Sequence, residues 1–201
     1  MNIIESINNQ FERGSFGFVE VLKLKGDGDF DFNDSSIGFK QLDLSEFYGS
    51  VDFNGCEYLP TDLDILVLQG NGNFYFQQST IGFKQLDLDN FKGILYLYGC
   101  ENLPILKKLK LIGKGRFNFG DSSIGFNELD ISEFQGSLIA TNCKNLPKTL
   151  NVLKLKGYGE FNFRSSDIGF NELDLNEFYG ISDFRYCKNV PEKYRKYRKQ
   201  I

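Results

Sequence analysis

Ile37-Gly-Phe-Lys-Gln-Leu-Asp-Leu44 is the stretch whose reading decides the fold. The phrase returns unchanged at Ile81 to Leu88, as Ile124-Gly-Phe-Asn-Glu-Leu-Asp-Ile131, and as Ile168-Gly-Phe-Asn-Glu-Leu-Asp-Leu175. Its glycines, Gly38, Gly82, Gly125 and Gly169, are 44, 43 and 44 residues apart. Cys56, Cys100, Cys143 and Cys187 keep the same intervals, as do Pro60, Pro104, Pro147 and Pro191, which are all the prolines of the chain. Four copies at a fixed period are the mark of a repeat architecture, in which stacked units bury a core that none could bury alone.

Outward from the phrase, each copy divides in two. Leu-x-Leu-like pairs begin at Leu22, Leu42, Leu66, Leu86, Leu109, Leu129, Leu153 and Leu173, at spacings that alternate between 20 and 24 residues, with one of 23. The shorter half reads like Val21-Leu-Lys-Leu-Lys-Gly-Asp-Gly-Asp-Phe-Asp-Phe32. Leu22-Lys-Leu24 and Phe30-Asp-Phe32 alternate apolar and polar with period two, as half-buried strands do. Gly26-Asp-Gly28 between them supplies a sharp corner with φ > 0, and recurs at 70/72, 113/115 and 157/159. The spacing therefore predicts an all-β-rich repeat solenoid: about eight coils of 20–24 residues with parallel strands, paired as 44-residue repeats. Each coil is expected to hold one Leu-x-Leu strand and a second short strand or extended turn on the opposite side.

This arrangement accounts for the composition. The chain has 21 Phe and 21 Gly but no His or Trp and a single Met. The columns at Phe30, Phe32, Phe39 and Phe47, with their copies, hold 16 of the phenylalanines, and columns at Gly26, Gly28, Gly38 and Gly49 hold 16 of the glycines. Within the opening phrase, Ile, Phe and Leu are read as core columns, Gly as a corner and Asp as the acid of a charge ladder.

Three regions follow: an N-terminal capping segment at 1–20, the solenoid at 21–191 and a basic C-terminal cap or tail at 192–201. The copies span about 21–64, 65–107, 108–151 and 152–191. The capping segment matches the template loosely, through Gln10-Phe11-Glu-Arg-Gly14 and a strand-like Ser15-Phe-Gly-Phe-Val19. The total charge is −4; residues 192–201 carry five basic residues against one acid, which leaves −8 on the other 191 residues. The first ten residues lack the basic and apolar regions of a secretory signal. No apolar run approaches the ~20 residues that span a bilayer. A cytoplasmic location is the default expectation, and delivery by a specialised secretion system is compatible with the same sequence. No membrane partner is expected.

Leu59-Pro-Thr-Asp-Leu63-Asp-Ile-Leu66-Val-Leu68 and Leu146-Pro-Lys-Thr-Leu150-Asn-Val-Leu153-Lys-Leu155 resemble the Leu-Pro-x-x-Leu-x-x-Leu-x-Leu of bacterial leucine-rich repeat proteins, a family that includes secreted effectors of host-associated bacteria. Leu103-Pro-Ile-Leu106-Lys-Lys-Leu109-Lys-Leu111 fits with one residue missing, and the resemblance spans roughly residues 19–191. The family's Asn ladder is absent: its position holds Asp27, Asn71, Lys114 and Tyr158 in one half-copy and Phe47, Phe91, Phe134 and Phe178 in the other. A β-solenoid with two strands per coil is the rival form. The resemblance implies a non-enzymatic protein-protein interaction module with an unknown protein partner. The alternative is a structural or self-assembling β-solenoid, a homo-oligomer formed by end-to-end stacking.

No residue set points to chemistry. Without His there is no imidazole base or ligand. Gly26-Asp-Gly-Asp-Phe-Asp31 has the Gly/Asp alternation of calcium-binding repeats, but other copies place Asn71, Asn73 and Tyr75, or Lys114, Arg116 and Asn118, at the acid positions. No metal, cofactor or catalytic residue is expected. The cysteines stand two coils apart, ~9–10 Å by strand spacing, beyond the ~4.4–6.8 Å that a disulfide spans. Four free, buried thiols in a column are predicted. Ser35, Ser79, Ser122 and Ser166 form a second column, suited to bonding turn backbone. Lys193-Tyr-Arg-Lys-Tyr-Arg-Lys199 mixes tyrosines with cations, but an acidic body repels nucleic acid, which is not expected as a partner.

The outward residue of each Leu-x-Leu reads Lys23, Asp43, Val67, Asp87, Lys110, Asp130, Lys154, Asp174. Alternating opposite charges on neighbouring strands stabilise coil order by about 0.2–1 kcal/mol per pair. Val67, Ile65 and Ile112 break the pattern. Together these ten residues form the candidate partner-binding face.

Overall fold

The computed structural model describes residues 3–7, 18–195 and 198–200, with side chains for 18–195. It is a parallel β-solenoid of eight coils, each with a long and a short strand. The long strands are β2 (Phe18–Gly26), β4 (Gly38–Phe47), β6 (Leu63–Gly70), β8 (Phe83–Phe91), β10 (Ile105–Gly113), β12 (Gly125–Phe134), β14 (Leu150–Gly157) and β16 (Phe170–Phe178). The short ones are β3 (Asp29–Asp31), β5 (Ser50–Asp52), β7 (Asn73–Tyr75), β9 (Ile94–Tyr96), β11 (Arg116–Asn118), β13 (Ser137–Ile139), β15 (Glu160–Asn162) and β17 (Ile181–Asp183). The Leu-x-Leu pairs lie on the long strands and the Phe-x-Phe pairs at the short ones, as their alternation predicts.

The two sides of the solenoid differ. The short strands form one uninterrupted parallel sheet from β3 to β17. The long strands do not: β2 pairs with β4, β6 with β8, β10 with β12 and β14 with β16, and no sheet joins one pair to the next. A ladder of charge running through all eight coils, as the alternation of Lys and Asp suggested, is thus replaced by four separate blocks.

The cause is a β-bulge in the second long strand of each pair, β4, β8, β12 and β16. Lys23 stands opposite Asp43, but Lys25 stands opposite Glu46, so two steps on β2 face three on β4. The same shift occurs at Val67/Gln69, Lys110/Ile112 and Lys154/Lys156. An extra residue bends the strand and increases its twist, which carries its far edge out of line with the next coil. Between β4 and β6 the gap is bridged by a side chain: Gln69 Nε2 donates to the carbonyls of Ser45 (2.5 Å) and Leu44 (3.3 Å).

All sixteen phenylalanines of the four columns are buried. They interleave with Val51, Leu95 and Leu138 in one column and with Phe53, Leu97, Ala140 and Phe184 in another. Rings stack coil on coil, as in Phe32–Phe53 at 5.1 Å and 7° and Phe53–Phe76 at 5.3 Å and 21°.

Two roles of glycine separate. Gly26, Gly70, Gly113 and Gly157 have φ of 84°, 74°, 71° and 75°, the corners foreseen in the sequence. The glycine of the opening phrase is not such a corner. Gly82 instead lies pressed between neighbouring coils, where a methyl would stand 2.1 Å from the Thr61 carbonyl and 2.6 Å from that of Asn102. Its N–H donates to the Pro60 carbonyl at 2.8 Å, and Gly125 and Gly169 bond Pro104 and Pro147 in the same way. The repeated Leu-Pro loop and the repeated Gly are two halves of one contact.

At the N-terminal end β1 (Ile3–Ile7) runs parallel to β2. Gln10 to Gly14, expected to resemble part of a coil, and Ser15 to Gly17 lie outside the described residues. At the other end α1 (Glu192–Arg195) sets Tyr194 against Phe170, ring centroids 5.7 Å apart. Arg195 Nη2 donates to the Lys188 carbonyl at 2.7 Å. β18 (Arg198–Gln200) then pairs antiparallel with β17 along the last edge of the continuous sheet.

Candidate protein-binding face

The ten candidate residues all lie on the outer side of the long strands, because each alternates with Leu or Ile residues that are buried or, as on both sides of Asp174, partly buried. Within a pair the charges meet. Lys23 Nζ lies 2.8 Å from Asp43 and 3.5 Å from Glu46, and Lys25 lies 3.7 Å from Glu46. In the last copy Lys154 reaches Asp174 at 3.5 Å and Glu177 at 3.1 Å, while Lys156 reaches Glu177 at 3.1 Å. In the third copy the partner of Asp130 is Lys108, at 3.0 Å, and not Lys110 as the strand order suggested.

The aspartate of the opening phrase has a second task. Asp43 Oδ1 accepts from the backbone N–H of Ser45 at 3.0 Å and from its hydroxyl at 2.6 Å. Asp87, Asp130 and Asp174 accept in the same way from the N–H of Asp89, Ser132 and Asn176, at 3.0, 3.3 and 3.0 Å. Each therefore ties off the bulge, a local side-chain-to-backbone bond that competes with regular pairing. This explains why the position is Asp in all four copies. The bond from Lys23, then those from Ser45, hold the Asp43 carboxyl down at about 2.

Copy 2 lacks the lysine of this closure, and copy 3 makes it from Lys108 alone. Opposite Asp87 and Asn90 stand Val67 and Gln69, and opposite Glu133 stands Ile112. Val67 is 40% and Ile65 44% exposed on β6; Ile105, two coils on at the start of β10, is 57% exposed, whereas Ile112 is half-buried. Val67 and Ile65 thus form a small exposed aliphatic pair on β6, between the ion clusters of copies 1 and 4; Phe18 and Val152, 61% and 50% exposed, lie on the long strands of those copies. The breaks between pairs add relief: β12 and β14 enclose an open cleft of about 360 Å³ with Leu129, Ile131, Leu150 and Leu153 on its floor and Lys108, Glu128 and Lys154 on its rim. Leu42, Leu86, Leu129 and Leu173 are only partly buried. They are the first leucines of the bulged strands.

The four cysteines are free and buried, as predicted. Each thiol donates to a phenylalanine carbonyl two coil-halves earlier, Cys56 to Phe32 at 3.0 Å and Cys100 to Phe76 at 2.8 Å. Burial pushes Cys100 up to about 11 and Cys143 to about 12, so the nucleophilic thiolate is suppressed. The serines join the same column: Ser35 and Ser166 lie 3.7 and 3.8 Å from Cys56 and Cys187, and Ser122 Oγ donates to the Phe119 carbonyl at 2.6 Å. Among the described residues no group of three or more Cys, Asp or Glu is placed to hold a metal ion, and no helix is long and apolar enough to cross a membrane.

Two further columns escaped the sequence reading. The turn after each short strand contains one left-handed residue: Asp34, Gly55, Gln78, Gly99, Asp121, Asn142, Ser165 and Tyr186, with φ from 52° to 69°. The recurrent Gly, Asp and Asn at this position was the available signal. Asn102, Asn145 and Asn189 also form a ladder, their Nδ2 atoms donating to the carbonyls of Thr80, Ser123 and Asp167 at 3.0, 3.1 and 2.8 Å. It lies after the cysteine, in the phrase Cys-x-Asn-Leu/Val-Pro, and not after Leu-x-Leu. Comparison with protein families, curated proteins and solved structures finds no family model that matches and no significant match to either kind of protein.

Proposed function

We propose that this solenoid is a non-enzymatic protein-binding module, akin in use to leucine-rich repeat proteins, and that it holds its unknown protein partner on the long-strand face. One observation carries the reading: copies 1 and 4 close the outward lysine of Leu-x-Leu into an ion cluster and copy 3 pairs its aspartate with Lys108, while copy 2 puts the exposed Val67 at the lysine's place, two residues from the exposed Ile65. Outward charged pairs suffice for solubility and coil order, so exposed aliphatic side chains at the centre of a face mark an anchor for a partner. The charged flanks then set orientation and rate of encounter. Host interaction, the role of secreted members of the resembled family, is one setting in which such a module works.

The test is a pair of substitutions that leave the core alone. Val67→Glu together with Ile65→Glu should abolish co-purification of any partner captured by the wild type. The melting temperature should stay within a few degrees, because both sites face water. Capture that survives both substitutions places recognition elsewhere. The alternative, end-to-end self-assembly, is opposed by β18, which occupies the last edge of the continuous sheet. Concentration-dependent growth in sedimentation velocity would favour that alternative instead.

A further inference from the structure

On the other side of the molecule, along the edge made by the turns after the short strands, the first four coils are hollowed into a trough of about 350 Å³. Gly55 is its floor, Asp34 one wall, and Gln77, Gln78 and Tyr98 the other. Glycine at 55 makes room for the Asp34 carboxylate at the trough: a methyl there would stand 2.1 Å from Asp34 Oδ1. Asn33 Nδ2 holds the other oxygen of Asp34 at 3.0 Å, so Oδ1 is turned over the floor.

Gln78 adopts φ 55°, in a column that also holds Asp34, Gly55, Gly99, Asp121, Asn142, Ser165 and Tyr186. Its side chain lies over Gly99, its Cγ 3.3 Å from where a methyl there would stand. Tyr98 is 36% exposed, and the neighbouring Asp121 carboxylate pushes its hydroxyl above the usual tyrosine range; Asp121 itself accepts from Asn142 Nδ2 at 2.7 Å.

We propose that this trough binds a neutral saccharide, as an extended β-1,4-linked chain lying along the solenoid axis. A carboxylate acceptor beside two primary amides, each able to donate and accept, matches the vicinal hydroxyls of a sugar. The aromatic ring of Tyr98, which lines the trough, suits the C–H side of a pyranose ring. Asp31 and Asp52 on the adjoining strands add negative charge to that of Asp34, which repels phosphates, sulfates and uronic acids. Coils rise by about 4.8 Å, close to the length of one sugar in such a chain, so successive rings meet successive coils.

The site is remote from Val67, so its fate is independent of the protein-binding reading. Titration of the full chain with cellohexaose, followed in amide NMR spectra, should move the side-chain amides of Gln77 and Gln78 and the backbone signals of Gly55 and Gly99. Maltohexaose, whose chain curves, should move them less. Tyr98→Ala should weaken binding about three- to tenfold, the loss of one stacking ring. Gln78→Gly should weaken it while raising the melting temperature, because the left-handed φ suits glycine, and this variant remains informative if Tyr98→Ala fails to fold. The proposal is overturned if cellohexaose moves no trough resonance, or if binding is unaffected by Gln78→Gly.

Discussion

Replacing Gly72 by Ala tests how closely the coils are stacked. Gly28, Gly49, Gly72, Gly93, Gly115, Gly136, Gly159 and Gly180 form a stripe in which the backbone of one coil touches the next. At Gly72 a methyl would lie 1.7 Å from the Gly49 carbonyl oxygen, 2.7 Å from its carbon and 3.1 Å from the Tyr48 oxygen, all backbone atoms that cannot swing aside. Ordinary contact begins at 3.4 Å, so the coils would have to part locally by about as much as the present gap. That strains the neighbouring bonds from Ile94 N–H to the Gly72 carbonyl (3.1 Å) and from Asn73 N–H to Ser50 Oγ (3.2 Å). Overpacking costs about 1–3 kcal/mol and two weakened hydrogen bonds about 1 kcal/mol each, for a loss of ~3–5 kcal/mol. Gly113→Ala is the control: its φ of 71° makes Ala unfavourable, but its nearest neighbour is a flexible Lys92 side chain at 3.4 Å, so only the ~1–2 kcal/mol of the left-handed conformation is lost. Urea unfolding of both variants decides the matter. If Gly72→Ala is within 0.5 kcal/mol of wild type, or is milder than Gly113→Ala, the stripe is not a close contact.

Truncating Phe126, which is 1% exposed in mid-stack, to Ala should remove ~3–5 kcal/mol; a loss below about 1 kcal/mol would mean that the phenylalanine columns are not the core. Alkylation at pH 8 should label none of the four cysteines in the native chain and all four in urea without reductant, since burial keeps Cys100 at about 11 and Cys143 at about 12; native labelling would contradict the column. Asp43 titrates at about 2 when folded, below its ordinary range near ~3.9. Its contribution is therefore complete above pH ~4 and is lost as pH falls towards 2, about 1 kcal/mol or less once its solvent exposure is counted. Acid unfolding of Asp43→Asn should be less pH-dependent across that window, and identical pH profiles would refute the role given to this carboxylate.

Much of this fold can be read from the chain. The 20- and 24-residue spacings of Leu22, Leu42 and Leu66 place the coils, and the Gly26 series marks left-handed corners, because those signals are local. The break between strand pairs could not be read, because the extra residue at Ser45 shows only when β2 and β4 are laid in register. Gly38 looked like a corner because glycine serves both free dihedrals and close approach, and only the neighbouring loop shows which. Asp43 was legible as a charge but not as the tie of a bulge. On the candidate face, Val67 and Ile65 were conspicuous as departures from the alternation. The trough at Gly55 was hidden because its walls come from four coils whose turn residues differ.

Residue-resolved hydrogen exchange tests the central claim, that one side of this solenoid is a continuous sheet and the other is broken into pairs. A strand bonded on both sides uses its amides fully, while one bonded on a single side leaves every second amide unpaired. We expect Phe53, Phe76, Phe119 and Phe163, which donate across the continuous side at 2.7 to 2.9 Å, to be among the slowest to exchange. In β6, β8, β10 and β12 protected and fast amides should alternate. Equal protection along every long strand would contradict the account.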